Sequence, residues 1–246
     1  MKRNAVALLV ALVFTVVAPV HGADSIGQII ALQGEASALG VDGKTRTLAL
    51  KSQIFLNDKI STKAGAKLQM LFNDDSVISQ GENSEMTIDE YVYVPSDKDS
   101  SKCSVKMAKG MFRLLTGKIT SVNPERFQVK TRMATIGIRG CDLGFTVTET
   151  GDDIYVIQLH SGESVVVFAR PNVGSGEWQG LIEGRWDDPE LAKQHLVNVL
   201  KSNRIVSIVQ GEGPNQRELT ADEVIALIDA VTPDGTGGGP GDGTGD

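Results

Sequence analysis

Apolar and polar residues alternate with a period of two through much of the segment between residues 25 and 169. Because successive side chains of a β-strand point to opposite faces, this alternation is typical of strands that are buried on one side. A chain dominated by this pattern must pair its strands into sheets. The pattern occurs at Leu68, Met70 and Phe72, at Leu143, Phe145 and Val147, and at Tyr155, Ile157 and Leu159, which follow a turn predicted at Gly151 to Asp153.

Turn-forming glycine, asparagine and aspartate residues separate the strand patterns at intervals of roughly 8 to 20 residues. Short strands joined by tight turns, with no helical pattern between them, cannot build a parallel βαβ sheet. The sequence therefore predicts an all-β, antiparallel fold, either a twisted sandwich or a partly rolled barrel, with two short C-terminal helices.

The two helices are predicted from their N-terminal signals. Thr220 and Glu223 form a T-x-x-E capping box ahead of apolar residues at helical spacing, which indicates an amphipathic helix. An N-cap at Asp187 or Asp188, with proline in the first turn, predicts a second helix that ends near Leu200.

The first 23 residues have the pattern of a Sec-type signal peptide. Lys2 and Arg3 precede an apolar run over residues 5–20, and small residues follow at Gly22 and Ala23. A retained membrane anchor is the alternative, but the run is shorter than the roughly 20 residues that a spanning helix needs. We expect cleavage near Gly22 or Ala23, no stable transmembrane segment afterwards, and a periplasmic or secreted protein of a Gram-negative bacterium.

The other end of the chain is predicted to be a disordered tail. Residues 232–246 contain many glycines and no apolar side chain that would offset the entropy of ordering them. The predicted organisation is therefore a signal peptide (1–23), an all-β domain (24–170), a C-terminal extension with a Trp/Gly loop and two helices (171–231), and the tail (232–246).

The acidic composition limits the partners and the chemistry. The chain has 24 Lys and Arg against 31 Asp and Glu, so it lacks the positive field that nonspecific nucleic-acid binding needs. After cleavage only His160 and His195 remain, which excludes a zinc site of three histidines. No P-loop, G-x-S-x-G or H-E-x-x-H motif occurs. We predict no nucleic-acid partner, no cofactor, no metal and no enzymatic activity.

Several short motifs follow one another along the chain. They are Gly27 and Gly34, Asn57–Thr62 followed by Gly65, Leu71–Ser76, Gly110–Arg113, Phe127–Thr131, Arg139–Phe145 and Leu159–Val165. Together these motifs resemble the FecR domain, and the resemblance covers residues 26 to 168. The chain departs from the family at two places: the family turn Asp-Gly-Ser is Asp74-Asp75-Ser76 here, and the family Arg-Gly-Thr is Arg139-Gly140-Cys141.

This resemblance implies a periplasmic all-β module for signalling or protein interaction. The named regulators of the family relay a signal from an outer-membrane transporter to a sigma factor that a cytoplasmic N-terminal domain holds. Here four residues precede the apolar run, so we expect no cytoplasmic sigma-factor domain. The chain is more similar to stand-alone, exported FecR-domain proteins.

A basic stripe is the first candidate binding site. Arg126, Lys130 and Arg132 share a two-residue period with Gln128, so in a strand they project from one face, and Arg139 extends the patch. Such a stripe on an acidic protein fits an anionic glycan or an envelope protein. A solvated outer strand face is the alternative.

Trp178 and Trp186 are the second candidate, because they lie among glycines with few apolar neighbours. Exposed tryptophan is enriched at interface hot spots and stacks on sugar rings. The alternative is that the two rings pin a loop onto the core.

Cys103 and Cys141 are expected to form a disulfide, since an exported protein meets oxidising conditions. Two buried thiols are one alternative. The other is a cysteine hydrolase in which Cys141 is the nucleophile and His160 the base.

Paired aspartates at two predicted turns raise the alternative of a calcium site, because carboxylates supply the hard oxygen ligands that this ion prefers. The pairs are Asp74–Asp75 and Asp152–Asp153. No D-x-D-x-D-G loop is present, so we interpret them as turn-forming acids.

Taken together, the sequence predicts an exported, non-enzymatic FecR-domain protein that acts as a periplasmic protein- or glycan-interaction or signalling module. An envelope structural or assembly protein is the alternative, and a cysteine hydrolase is a third hypothesis.

Overall fold

The computed structural model describes residues 24–97, 99–159, 164–169, 196–199, 201–210 and 214–234. The predicted signal peptide, Trp178, Trp186, His160, His195 and residues 235–246 lie outside this part of the chain. Among the described residues, no helix is long and apolar enough to span a membrane.

The described residues form seventeen strands, two α-helices and one 3-10 turn. The helices are α1 (Lys118–Val122) and α2 (Ala221–Val231), and the 3-10 turn is Pro124–Arg126. The strands are β1 (Ser25–Gln33), β2 (Ala36–Leu39), β3 (Thr45–Thr47), β4 (Gln53–Phe55), β5 (Lys59–Thr62), β6 (Lys67–Phe72), β7 (Val77–Gln80), β8 (Glu85–Val92), β9 (Lys102–Leu115), β10 (Phe127–Lys130), β11 (Ala134–Ile138), β12 (Cys141–Val147), β13 (Gly151–Leu159), β14 (Val165–Ala169), β15 (Leu196–Val199), β16 (Arg204–Val209) and β17 (Asn215–Glu218).

The strands build two sheets that share the long strand β9. Sheet A has the order β4-β1-β6-β7-β9-β12-β13-β16-β17. Sheet B has the order β3-β2-β5-β8-β9-β10-β11-β14-β15. All of these pairs are antiparallel except β9 with β10, which is parallel. The predicted all-β, antiparallel class is confirmed, and neither sheet closes into a barrel.

Strand β9 changes sheets at Gly110. Residues before it pair with β8 and β10, and residues from Gly110 onward pair with β12. Gly110 has a φ of +106°, and a Cβ there would overlap the side chain of Ser84. Only glycine satisfies both conditions, so this residue allows one strand to serve both layers.

The core lies between the two sheets and follows the predicted alternation in β6 and β12, where Leu68, Met70, Phe72 and their counterparts in β12 are buried. In β13 the predicted face was wrong. The buried residues are Asp152, Ile154 and Val156, whereas Tyr155 and Ile157 point the other way and are half-buried. The predicted turn at Gly151 to Asp153 is likewise the first part of the strand.

The C-terminal segments differ from the prediction in two places. The helix expected to end near Leu200 is wrong in its described part, since Leu196–Val199 is strand β15, paired with β14. The predicted disorder of residues 232–246 is wrong at its start. Asp234 lies 3.2 Å from Lys67 Nζ and accepts a hydrogen bond from Gln33 Nε2 at 3.2 Å, which ties the end of α2 to β1 and β6.

The capping-box prediction is confirmed for α2. Thr220 accepts a hydrogen bond from the backbone of Glu223, and the Glu223 carboxylate accepts one from the Thr220 amide at 2.9 Å. Leu227 and Val231 are buried beneath the helix, whereas Ile225 is exposed. Helix α2 therefore covers part of the outer face of sheet A.

Candidate binding groove on sheet B

Strand β10 sets the orientation of the predicted basic stripe. Phe127 and Val129 are buried in the core, so Gln128 and Lys130 lie on the outer face of sheet B. Arg126 lies in the preceding 3-10 turn and Arg132 in the turn after the strand, and both are exposed. The predicted alternation is therefore present in β10, with polar residues facing outward.

The neighbouring strands add further residues to this face. In β11, Gly137 pairs with Gln128 and Thr135 pairs with Lys130. In β9, Lys106 pairs with Lys130. Arg139 follows β11 immediately, two residues beyond Gly137. The register thus brings Arg139, Gln128 and Lys130 onto one surface.

A groove of about 390 Å³ lies on this surface, with Gly137 at its floor. An added Cβ on Gly137 would meet nothing closer than the Val166 carbonyl oxygen at 3.9 Å. The groove is therefore open because this strand position has no side chain. The other lining residues are Pro124, Glu125, Gln128, Thr135, Arg139 and Val166.

One ion pair lies at the rim of the groove. Arg139 Nη2 is 3.4 Å from Glu125 Oε1, and both side chains are more than half exposed. An exposed pair with this long single contact is worth little, so Arg139 can exchange Glu125 for another anion at small cost.

Four further cations beside the groove have no such partner within the described chain. Lys130, Arg126, Arg132 and Lys106 make no ion pair with a described carboxylate. Lys106 and Lys130 are direct neighbours on adjacent strands, and like charges in that arrangement are unfavourable. These four cations therefore add positive charge beside the groove that no described carboxylate contacts directly.

Two other pairs of charged residues were missed by sequence reasoning, and both are structural. Arg46 binds Asp58 through two hydrogen bonds of 3.1 and 2.6 Å. Arg113 binds Asp142 through two hydrogen bonds of 2.9 and 2.7 Å. The pairs link β3 to the β4–β5 turn and β9 to β12, so they brace strands rather than form a site.

At Asp74, where a calcium site was the alternative, hydrogen-bond donors of the protein surround the carboxylate. The buried carboxylate accepts hydrogen bonds from Tyr91 Oη at 3.0 Å, Ser76 Oγ at 2.7 Å and the Ile119 amide at 3.3 Å. Burial, and then the Asp74 charge, raise the pKa of Tyr91, so the phenol stays a donor. No group of three or more metal-ligating side chains occurs in the part of the chain that the structure describes. Asp74 therefore organises the β6–β7 turn.

The predicted disulfide is wrong. Cys103 and Cys141 are both buried and are not joined. Cys103 lies near the start of the 14-residue strand β9, whereas the Cys141 amide bonds to Thr116, beyond the far end of that strand. A disulfide needs Cα atoms within about 7 Å. Burial raises the pKa of the Cys103 thiol well above its usual value, so this group remains an uncharged core side chain.

Comparison with known proteins identifies the domain. Residues 58–164, from the residue before β5 to the residue before β14, match the model of the FecR protein family. No curated protein matches the chain.

Solved structures with similarity to the chain include two crystal structures of a candidate anti-sigma factor from Parabacteroides distasonis, at 1.65 and 2.50 Å resolution. Each is 16% identical with a TM-score of 0.47, and the alignments cover 69% of this chain and 64% and 63% of those chains. The chain thus spans less than two thirds of their length. A cell surface anchoring domain aligns at 26% identity over 25% of this chain and 82% of its own, with a TM-score of 0.25. The family match confirms, over residues 58–164, the resemblance that the motifs carry: this segment of the chain is similar to the FecR family.

Proposed function

We propose that this chain is an exported, non-enzymatic FecR-domain module that binds another component of the cell envelope through the outer face of sheet B. The observation that supports this function is the open groove over Gly137, flanked by Arg139, Gln128 and Lys130. The FecR domain supports a signalling-related role, and the leader pattern of residues 1–23 supports export.

The two outer faces of the sandwich differ in a way that favours sheet B. On sheet A, helix α2 places the buried Leu227 directly over Gly144. On sheet B, the described residues leave the corresponding glycine, Gly137, uncovered. A binding module needs an accessible face, and among the described residues sheet B presents one around Gly137, with Arg139 and Lys130 on either side of it.

A non-enzymatic role agrees with the surroundings of the candidate nucleophile. Cys141 is 2% exposed, and its amide and carbonyl both bond to Thr116. A reactive thiol is normally accessible and close to a positive charge. Thiol labelling of the folded protein tests the hydrolase alternative: rapid labelling of Cys141 would favour it.

The function is tested by affinity purification of the tagged full chain from the envelope of its own cells. Gly137→Val should fold, because the position faces outward and β-branched residues suit strands, and it should abolish capture of the bound component. Thr47→Val, an exposed position at the distant edge strand β3, is the matched control and should retain capture. Equal capture by both variants would refute the groove as the binding surface. Recovery of the protein only from the cytoplasm would refute export.

A further inference from the structure

Positive charge lies on both sides of the groove floor along the strand direction. Arg139 lies two residues after Gly137, and Lys130 pairs with Thr135, two residues before it. With a rise of about 3.3 Å per residue, the two cationic levels are roughly 13 Å apart, with Gly137 midway between them. An elongated ligand lying along β11 would meet a cation at each end of the groove.

The centre of the groove is neutral but able to form hydrogen bonds. Gln128 and Thr135 supply an amide and a hydroxyl group to the lining, and the Gln128 side chain makes no hydrogen bond to another described residue. Amide and hydroxyl groups both donate and accept. This combination matches ligand hydroxyl groups, which also do both.

The strands under the groove leave no edge for a peptide main chain. Strand β10 lies between β9 and β11, β11 lies between β10 and β14, and β14 lies between β11 and β15. Peptides commonly bind sheets by adding a strand at a free edge, where main-chain hydrogen bonds supply the affinity. At this groove only side chains are available, so a ligand must offer its own hydroxyl and charged groups.

We propose that the groove over Gly137 binds an acidic glycan, with carboxylates contacting Arg139 and Lys130 and sugar hydroxyls contacting Gln128. This inference rests on the proposed function and names the ligand class of the same surface. The volume of about 390 Å³ falls in the range of ligand pockets, which begins near 300 Å³. It is large enough for one or two sugar rings, and the chain would continue along the face in both directions.

Substitution of Glu125 tests the proposal because it should raise the ligand affinity, whereas loss of a cation should lower it. The Glu125 carboxylate lies at the rim and pairs with Arg139 at 3.4 Å, so it competes with an anionic ligand for the guanidinium. Glu125→Gln should therefore strengthen binding of an acidic glycan several-fold, whereas Arg139→Gln and Lys130→Gln should each weaken it about tenfold, the value of one charge-assisted hydrogen bond. A ligand held only by neutral hydrogen bonds would show neither change.

The experiment is calorimetric titration of the purified full chain with three probes of equal length: a galacturonate hexamer, maltohexaose and a hexaglutamate peptide. The galacturonate hexamer should bind, and Gly137→Val should weaken it at least about tenfold without lowering the melting temperature. Lys63→Gln, which removes an exposed cation outside the groove, should leave binding unchanged.

Each opposing result overturns the inference. Absent binding of the hexamer, equal binding of maltohexaose, or equal binding of hexaglutamate would exclude specific recognition of an acidic glycan. So would unchanged binding by Gly137→Val. If these titrations fail but capture from the envelope still depends on Gly137, the proposed function stands and only the ligand class is wrong.

Discussion

Leu227 of helix α2 fills the space directly over Gly144 of strand β12, so that a Cβ on this glycine would overlap the leucine side chain. Leu227 is buried, and the same helix is held at its far end by Asp234 against Gln33 and Lys67. Helix α2 lies outside the matched FecR segment 58–164. A helix outside the matched segment therefore covers part of sheet A.

Truncation of Leu227 should destabilise the whole sandwich. Leu227→Ala leaves a cavity between α2 and β12, and buried leucine truncations cost about 2–5 kcal/mol. Thermal unfolding measures the loss. Ile225→Ala is the control, because this neighbour on the same helix is 56% exposed and should change stability by less than about 0.5 kcal/mol. Similar losses for both variants would mean that α2 is not docked as described.

The β6–β7 turn predicts a stabilising substitution. Asp75 has a φ of +66° at the position where the family turn has glycine, and this left-handed conformation is unfavourable for most side chains. Asp75 also pairs with Lys118, but both side chains are more than half exposed, so the pair adds little. We expect Asp75→Gly to raise stability by up to about 1 kcal/mol in chemical denaturation.

Asp75→Asn separates the two contributions, since asparagine tolerates the left-handed region but cannot pair with Lys118. Its stability should lie close to that of the natural chain. A marked loss in both variants would show that the ion pair with Lys118, rather than the backbone conformation, dominates at this turn.

How far the sequence predicted the structure is clear from individual residues. The alternation in β6 and β12 was sufficient, because each strand has one face in the core. The same pattern predicted the wrong buried face in β13. Tyr155, on the side of α2, is also partly covered, so the two faces of this strand do not differ in hydrophobicity. The capping box was found because it is local, with its two residues only three positions apart.

The groove and the bracing ion pairs depend on distant residues. Arg113 and Asp142 are 29 positions apart, and nothing in the sequence shows that β9 and β12 are neighbours. Gly137 was likewise unremarkable until the register placed it between Arg139 and Lys130. The disulfide prediction was wrong for the same reason, because the length of strand β9 separates Cys103 from Cys141. Features carried by residues close together in the sequence could be predicted, whereas contacts that depend on the strand topology could not.

The cap of α2 should lose stability at low pH. Hydrogen bonds from Arg217, and then from Thr220, lower the pKa of Glu223 from 4.5 to about 2. Because the pKa of Glu223 is lower in the folded state, its ionised carboxylate stabilises the fold above the pKa of the unfolded chain. This stability is lost as the pH falls through the pKa of the folded state. Glu223→Gln should remove this loss between pH 4.5 and 2, measured by helical circular dichroism.

Thr220→Ala is the companion variant. It removes the side-chain cap, which costs about 0.5–2 kcal/mol, but keeps the pair of Arg217 with Glu223 at 2.6 Å. Its acid transition should therefore persist but move to a higher pH, because the Thr220 hydroxyl no longer donates to the Glu223 carboxylate. A Glu223→Gln variant with an unchanged acid transition would assign that transition to other carboxylates.

Asp152 predicts a pH dependence of the opposite sign. Burial raises its pKa above 3.8, although hydrogen bonds from Thr131 and the Met133 amide and the charge of Arg132 act against this, while the charge of Asp153 adds to it. A carboxyl whose folded pKa is raised favours the folded state while protonated, so this stability is lost as the pH rises from 3.8 through the folded pKa. Asp152→Asn can keep the 2.7 Å bond from Met133 without the buried charge. The melting temperature of Asp152→Asn, relative to that of the natural chain, should therefore rise between pH 4 and pH 7. Asp153→Asn is the control, because it removes one charge at the same end of β13. Parallel changes in the melting temperatures of both variants would contradict the role of burial.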